Sequence, residues 1–325
     1  MRGVTMLVGS LCLLLGACGG ESSGGGDGGT AGASQGGSNQ GGSNQGGSSG
    51  GGQGGSAGVG AGGSGGEGNT TSKSLRVGPF NTAPGDEQTQ CVTLDLGNEV
   101  PGVIRRVRTT LTEGSHHLII STSNGPPQPA SPCGAFSHPD GALFIAEKKA
   151  AELEYPQGTG VAVKAHQSIA LELHYINYFS GAPEDIWGDI EFDLAPADSG
   201  LRQVQFLFTG ELSIFLPAHT QQTVQGEYSL VPGAELVALT SHTHSLGTHA
   251  TIELKHNDGS SELIHESNDW DSPPFDAWDP GLQIQAGDSL QLKCEYDNYT
   301  DQDVTFGTGF KDEMCFLWAH YLDPQ

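Results

Sequence analysis

The sequence predicts an all-β protein, with two tandem β-sandwich domains of jelly-roll type that follow a disordered, Gly/Ser-rich linker. Two patterns carry this prediction. Apolar and polar residues alternate over short segments such as "SIALELHYINY", as in strands that bury one face. Turn clusters such as "HNDGSSE" separate these segments, and no long stretch keeps helical spacing. Many short strands at close spacing are typical of sandwiches and jelly rolls.

The chain opens with the pattern of an export signal. Arg2 is followed by the apolar run "MLVGSLCLLLGA" and then by Cys18. Such a run is too short for a permanent membrane helix and has the layout of a secretory signal. Its ending resembles a bacterial lipobox, which implies removal of residues 1–17 and acylation of Cys18. A signal peptide with a chance cysteine is the alternative. We expect an exported lipoprotein, anchored by its lipid at the outer membrane or cell surface.

A low-complexity segment follows the lipobox. It consists almost entirely of Gly, Ser, Gln, Asn and Ala and contains the repeat "GGSNQGGSNQGGS". A segment without apolar side chains cannot offset the entropy lost on ordering. We therefore predict that residues 18–73 form the lipidated cysteine and a flexible linker.

Residues 74–325 are long enough for two domains. The polar stretch "DLAPADSG" marks the expected boundary, which gives an N-terminal sandwich at 74–196 and a C-terminal sandwich at 197–325. The formal net charge of −25 argues against nucleic acid, whose phosphates attract Lys and Arg. We expect a monomer whose partners are a small-molecule substrate and O2, with no nucleic acid.

Four cysteines lie beyond Cys18: Cys91, Cys133, Cys294 and Cys315. An even number in an exported chain favours disulfides, and four cysteines allow three pairings. Their distribution suggests Cys91–Cys133 and Cys294–Cys315, one bridge in each half. Free buried thiols are the alternative. A zinc site is not expected, because no C-x-x-C spacing occurs.

Three predicted strands carry metal-binding side chains on the face opposite an apolar run. In "AELVALTSHTH" these are His242 and His244, in "LELHYIN" His174, and in "DEMCFLWAHYL" Met314. A core histidine would lie among the apolar residues. The pattern therefore favours ligands on an outer sandwich face that look into a cleft.

The adjacent pair His116 and His117 needs a local irregularity. A regular strand would point the two side chains apart, so both can bind one ion only where a bulge or strand end redirects one of them. Gly114 and Ser115 precede the pair and make such an irregularity plausible. Taken alone, an HH pair is typical of a surface feature.

The combination is more specific than its parts. One half supplies three imidazoles, and the other supplies two imidazoles and a thioether. Three imidazoles suit copper, zinc or iron, whereas imidazole with a soft thioether favours copper. Met314 is also the one methionine beyond the signal segment. We therefore predict six metal ligands: His116, His117, His174, His242, His244 and Met314.

The motifs "HH", "LHY", "HTHSLG" and "DEMCFLWAHYLDP", in this order, resemble the copper type II, ascorbate-dependent monooxygenase family, which includes dopamine β-hydroxylase and peptidylglycine α-hydroxylating monooxygenase. The resemblance covers most of residues 74–325. It implies two jelly-roll sandwiches, each holding one copper across an open cleft. It also implies that Cys294 pairs with Cys315.

The resemblance assigns the ligands as well. It implies that His116, His117 and His174 bind an electron-transfer copper, and that the catalytic copper is held by His242, His244 and Met314. The implied reaction hydroxylates a C–H bond of a small organic substrate, with O2 and a one-electron donor such as ascorbate. The alternative is a non-catalytic surface lipoprotein with a copper- or carbohydrate-binding sandwich.

This sequence departs from the peptide-amidating branch at three positions. Thr240 stands where those enzymes have the arginine that holds the substrate carboxylate, and Phe316 and Trp318 replace an asparagine and a tyrosine. A peptide substrate is therefore disfavoured. The three residues are candidates for an apolar substrate pocket, with plain packing as the alternative.

The remaining polar residues receive weaker interpretations. Glu172 and Asp312 lie near ligands in the sequence and could support them, although a solvated surface role is equally compatible. His249 and His320 are weaker candidates for the same role. We expect exposed positions for His138, His166, His219, His256 and His265. No Ser-His-Asp arrangement is predicted.

Overall fold

The computed structural model describes residues 70–325, except residues 138–140 and residue 179. The predicted signal segment, Cys18, most of the predicted linker and His138 lie outside the described residues. All described residues fall within one compact unit. They contain twenty strands and no helix, which confirms the predicted all-β class. Within this part of the chain, no helix is long and apolar enough to cross a membrane.

The strands are β1 Thr71–Thr82, β2 Glu87–Asp95, β3 Gly102–Leu111, β4 Ser115–Ser123, β5 Gln128–Pro132, β6 Ala142–Ala146, β7 Ala150–Glu154, β8 Thr159–Val163, β9 Ser168–Ile176, β10 Glu184–Pro196, β11 Arg202–Glu211, β12 Phe215–Leu216, β13 Thr220–Ser229, β14 Glu235–His242, β15 Gly247–Lys255, β16 Ser261–Ser267, β17 Asp276–Gln283, β18 Ser289–Asn298, β19 Val304–Thr305 and β20 Cys315–Leu322.

These strands form two sandwiches that share one sheet. A nine-stranded sheet has the order β1-β10-β3-β8-β11-β20-β14-β17, with β7 paired to β3. Its first part packs on the five-stranded sheet β5-β2-β9-β4-β6, and its second part packs on the four-stranded sheet β13-β18-β15-β16. β8 and β11 pair in parallel and join the two parts. Residues 197–201 connect β10 to β11, and a division into domains at this point remains a prediction.

Successive side chains of a strand point to opposite faces, so one face of β9 and β20 lies in a hydrophobic core and the other face lies at the contact between the two halves. In β9, Leu171 and Leu173 lie in the N-terminal core, so His174 projects from the other face. In β20, Cys315 and Leu317 lie in the C-terminal core, whereas Trp318 packs against β4 and β6 of the other half. The outward faces of the two sandwiches therefore meet.

Both suggested disulfides are present. Cys91 is bonded to Cys133, with an S–S distance of 2.07 Å. Cys294 is bonded to Cys315, with an S–S distance of 2.04 Å. The first bridge ties β2 to the segment after β5, and the second ties β18 to β20. The predicted pairing is confirmed, with one bridge in each half.

Candidate metal centre

A bulge in β4 directs both adjacent histidines toward the centre. The β4–β9 ladder pairs Ser115 with Tyr175 and His117 with His174, so His116 is the extra residue. Gly114, just before the bulge, has φ +81°, and a Cβ there would lie 2.7 Å from the carbonyl oxygen of Ile176. Only glycine fits this turn. The irregularity expected before the HH pair is confirmed.

The C-terminal ligands lie where a strand gives way to loops. His242 is the last residue of β14 and pairs with Phe316 of β20. His244 lies in the short connection to β15, and Met314 immediately precedes β20. Two adjacent antiparallel strands thus bring all three residues to the same end of the nine-stranded sheet.

The five predicted histidine ligands form one cluster. The ligand atoms of His116, His117 and His174 lie within 4.8 Å of one another, and so do those of His116, His242 and His244. The ring centres of His117 and His174 are 5.0 Å apart, as are those of His242 and His244. The open cleft implied by the resemblance is therefore not the arrangement observed. The two sets meet because the halves are packed together through the apolar side chains around Trp318.

These ligands are shielded from solvent. Their exposed fractions range from 0% for His244 to 8% for His116, and Met314 is 1% exposed. Burial lowers the pKa of His242 and His244 to about 3, with neighbouring imidazoles adding to the effect. The pKa values of His116 and His117 are lowered well below the usual range for the same reasons. These four imidazoles are therefore neutral at pH 7, which is the form that binds metal ions.

Several imidazole nitrogens in the cluster have no hydrogen-bond partner. These atoms are Nε2 of His116, His117 and His244, and Nδ1 of His174. An unpaired buried acceptor costs free energy, and most such groups in native proteins are satisfied. Metal ions bound to the two groups of ligands would satisfy these nitrogens. A set of buried imidazole nitrogens fits copper, and Met314, whose backbone N–H shares the Glu313 carboxylate with that of His244, would add a soft ligand.

Glu87 orients His174. Its Oε1 lies 2.9 Å from Nε2 of His174, which leaves Nδ1 for a metal. Burial raises the pKa of Glu87, but hydrogen bonds from His174, Tyr178 and the N–H of Phe310 outweigh it and lower the pKa to about 2. An ionised Glu87 accepts a hydrogen bond from the Nε2–H group of His174 and so fixes the tautomer of that ring.

Glu147 plays the corresponding part for His242. Its carboxylate is in hydrogen-bond contact with Nδ1 of His242, although the two residues belong to different halves. Burial raises the pKa of Glu147 well above its usual range, and the charge of Asp271 adds to this. A cation on the opposite nitrogen of His242 would offset the cost of ionising this carboxyl group.

Glu313 holds the loop ligands together. Its carboxylate accepts hydrogen bonds from the backbone N–H groups of Leu246 (2.7 Å), His244 (2.9 Å) and Met314 (3.3 Å). Burial raises the pKa of Glu313 to about 7, against the lowering effect of these hydrogen bonds. The neighbouring Asp312 acts through its backbone, because its carbonyl oxygen lies 2.8 Å from Nδ1 of His244.

Sequence reasoning missed the three glutamates. Glu313 adjoins Met314 within "DEMC", which was a usable signal. Glu87 and Glu147 lie on or beside strands remote from their partners in sequence, so no local pattern indicated them. Glu172, which was expected to support a ligand, instead accepts the N–H groups of Phe136 (2.6 Å) and Ser137 (2.8 Å).

The residues considered for a substrate pocket lie in an aromatic cluster. The Trp318 ring is 5.5 Å from His242 and 6.1 Å from Phe208, and Phe316 is 4.9 Å from Phe208. Phe136 completes the cluster, stacked 6.2 Å from His117. Thr240 donates a hydrogen bond to the carbonyl oxygen of Pro274 at 2.7 Å. In this arrangement Thr240, Phe316 and Trp318 are all buried.

The expectation for His265 was wrong. Its side chain is buried between the hydroxyl of Ser241, 2.8 Å from Nε2, and the carboxylate of Asp276, 2.7 Å from Nδ1. A Ser-His-Asp arrangement therefore exists where none was predicted, assembled from β14, β16 and β17. Its serine, Ser241, immediately precedes the predicted ligand His242 in β14.

The other histidines outside the cluster are more ordinary. His166 and His219 are exposed as expected, and His256 is half-buried. His249 pairs with Glu266 at 2.9 Å. His320 is buried at the contact between the halves, with Nε2 2.9 Å from the carbonyl oxygen of Leu143. No contact places His249 or His320 against the ligand cluster.

Comparisons with solved structures find distant similarities. The crystal structure of the STIV MCP has a TM-score of 0.37 at 8% identity, covering 78% of this chain and 96% of that one. The glycosylasparaginase PNGase F from Flavobacterium meningosepticum has a TM-score of 0.35 at 9% identity, covering 76% of this chain and 95% of that one. Neither similarity bears on function.

No curated protein matches the chain. A family model does match its C-terminal half, which contains His242, His244 and Met314. Residues 219–325 match the model described as copper type II ascorbate-dependent monooxygenase, C-terminal domain, and this match supports that family for the chain.

Proposed function

We propose that this protein is a copper-dependent monooxygenase that hydroxylates a C–H bond of a small organic substrate, using O2 and a one-electron donor such as ascorbate. The observation that carries the proposal is the cluster of five buried imidazoles, four of which have a nitrogen without a hydrogen-bond partner. Two of the five histidines, His242 and His244, lie within the segment that matches the monooxygenase domain model.

Two coppers would be held by residues from the two halves. His116, His117 and His174 would hold the electron-transfer copper, and His242, His244 and Met314 would hold the copper at which oxygen reacts. When bound, copper supplies one-electron chemistry and the activation of O2, which no side chain provides. The thioether of Met314 is soft and favours the reduced ion.

The protein residues position and shield this chemistry. Glu87 and Glu147 would accept hydrogen bonds from ring N–H groups of His174 and His242, so that the opposite ring nitrogens are free to face the metal. Glu313 fixes His244 relative to Met314 through their backbone N–H groups.

An aromatic cover excludes water from the ligands. Phe136 stacks on His117, Trp318 lies against His242, and the Phe310 ring is 5.9 Å from His116. This cover also blocks a substrate, because every ligand is buried. Substrate entry therefore requires the two halves to separate, which would expose Phe316 and Trp318. An exposed aromatic wall would suit an apolar or aromatic substrate.

The cellular setting remains part of the proposal. We propose that the chain is exported, acylated at Cys18 and tethered at the outer membrane or cell surface as a monomer. A C–H-hydroxylating enzyme in that position would meet small molecules outside the cytoplasm.

Oxygen consumption tests the proposed activity. The copper-loaded protein should consume O2 with ascorbate faster when a small aromatic substrate is present, and mass spectrometry should find that substrate gaining one oxygen atom from 18O2. Met314→Ala should lose most of this activity. Copper binding without substrate-dependent oxygen consumption across a chemically varied panel would instead indicate the non-catalytic copper-binding lipoprotein.

A further inference from the structure

His116 holds a special place in the cluster. Among the described residues, two groups of three histidines each have ligand atoms within 4.8 Å of one another, and His116 belongs to both. One group is completed by His117 and His174, and the other by His242 and His244.

The ring of His116 is nearly equidistant from the other four. Its centre lies 5.1 Å from His117 and 5.2 Å from His174 in its own half. It lies 5.1 Å from His244 and 5.7 Å from His242 in the other half. His117, its neighbour in sequence, is farther from His242 at 6.1 Å. Distance alone therefore does not assign His116 to one set.

His116 is also less restrained than its neighbours. The rings of His174, His242 and His244 each have one nitrogen bonded to a carboxylate or a backbone carbonyl. Nε2 of His116 has no partner, and its backbone is the extra residue of the β4 bulge, outside the regular ladder. A bulge residue has no cross-strand partner opposite it, so the ladder constrains the direction of the His116 side chain less than that of His117, which pairs with His174.

The chemistry of imidazole limits His116 to one metal at a time. A neutral imidazole has one bare nitrogen lone pair, so serving one set leaves the other with a ligand missing. When His116 serves the C-terminal set, His117 and His174 are left with two nitrogens. When it serves the N-terminal set, His242 and His244 keep two nitrogens, and the Met314 thioether can act as their third ligand.

We propose that His116 is an exchangeable ligand shared by the two sets. This proposal rests on the proposed copper chemistry. In one state, His116 binds with His242 and His244 and completes a site of three nitrogens. In the other state, His116 binds with His117 and His174, and Met314 takes its place beside His242 and His244. Because thioether favours Cu(I) more strongly than imidazole does, this exchange changes which oxidation state the catalytic site prefers.

Two single alanine variants, at His116 and at His117, distinguish a shared His116 from two independent sets of ligands. His117→Ala disables the first set and releases His116, so one equivalent of Cu(I) should bind through His116, His242 and His244 without sulfur. His116→Ala disables the first set too, but removes the shared ligand, so the same copper should bind through Met314. Copper K-edge X-ray absorption should show sulfur scattering from Met314 in the His116→Ala variant. The His117→Ala variant should show little of it.

The controls make each outcome decisive. His174→Ala should match His117→Ala, which covers the case in which one variant fails to fold, and circular dichroism checks each fold. Sulfur scattering of equal strength in both variants, or in neither, contradicts a shared His116 while leaving two independent copper sites intact. A wild-type protein that binds no copper overturns the proposed function instead.

Discussion

The two halves present their ligands in different ways. In the N-terminal half, His117 and His174 project from neighbouring strands of the five-stranded sheet, where the ladder fixes their positions, and only His116 lies at the bulge. His244 and Met314 lie outside the strands and depend on Glu313 and a disulfide. Fixed ligands suit a site that only passes electrons, whereas loop ligands suit a site where the coordination must change during reaction. The difference between the halves thus parallels the two roles proposed for them.

Among the substitutions that test this difference between the halves, removal of the Cys294–Cys315 disulfide should have the largest effect on stability. Replacing Cys294 and Cys315 by alanine should cost about 2–5 kcal/mol of unfolding free energy, because the bridge restricts the unfolded chain. It should also weaken copper binding by His242, His244 and Met314, since Cys315 follows Met314 directly. Urea unfolding and copper titration measure the two effects.

The matched control is the bridge of the other half. Replacing Cys91 and Cys133 should reduce stability by a similar amount and leave the C-terminal copper affinity unchanged, because β20 is untouched. If both double variants weakened copper binding at the C-terminal site, the Cys294–Cys315 bridge would have no specific part in holding that site.

The supporting glutamates should act on separate sites. Glu87→Gln should weaken the site containing His174, and Glu147→Gln should weaken the site containing His242, each by roughly 10–100-fold, as is typical for partners of metal-bound histidines. Competition titration with a copper chelator gives both affinities. A Glu147→Gln variant that weakened only the His174 site would show that the contact across the halves is not what orients His242.

His265 offers a smaller test behind His242. His265→Ala leaves the buried Ser241 hydroxyl without its partner, and the loss should be about 1–2 kcal/mol of unfolding free energy. Copper binding should weaken only at the C-terminal site, because β14 carries both Ser241 and His242. An equal loss at the N-terminal site would show a general loosening of the fold.

An acid-sensitive ion-pair cluster belongs to the N-terminal half. Burial raises the pKa of Asp193, but hydrogen bonds from Arg106 and Arg108 outweigh it and lower the pKa overall. These contacts therefore stabilise the fold above the ordinary aspartate pKa of about 4 and stop doing so as the pH falls through the lowered value. Asp193→Asn should cost about 1 kcal/mol at pH 7.

The pH profile provides the check on this prediction. Thermal unfolding of the wild type and of Asp193→Asn should converge as the pH falls below 4, because the wild-type carboxylate becomes protonated. A difference that persisted unchanged at low pH would mean that shape, and not charge, explains the effect.

Local sequence patterns predicted the strands and the outward faces well. Alternation placed Leu171 and Leu173 in the core and His174 outside it, because side-chain direction in a strand depends only on neighbouring residues. Alternation also anticipated the irregularity at His116, whereas the cysteine pairing followed from the distribution of the cysteines over the two halves and from the resemblance.

Features that depend on the packing of distant segments were not predictable. The contact between Glu147 and His242 joins the two halves, and the burial of His265 needs three strands that are separated in sequence. The convergence of five histidines likewise follows from how the halves pack together. A periodicity within one strand contains no information about these distances.

Copper stoichiometry tests the central claim most directly. The purified protein, reconstituted with copper and dialysed, should retain about two coppers per chain. Met314→Ala and His174→Ala should each lose affinity at one site only. A protein that retained no copper, or that preferred zinc when both metals were offered, would contradict the account.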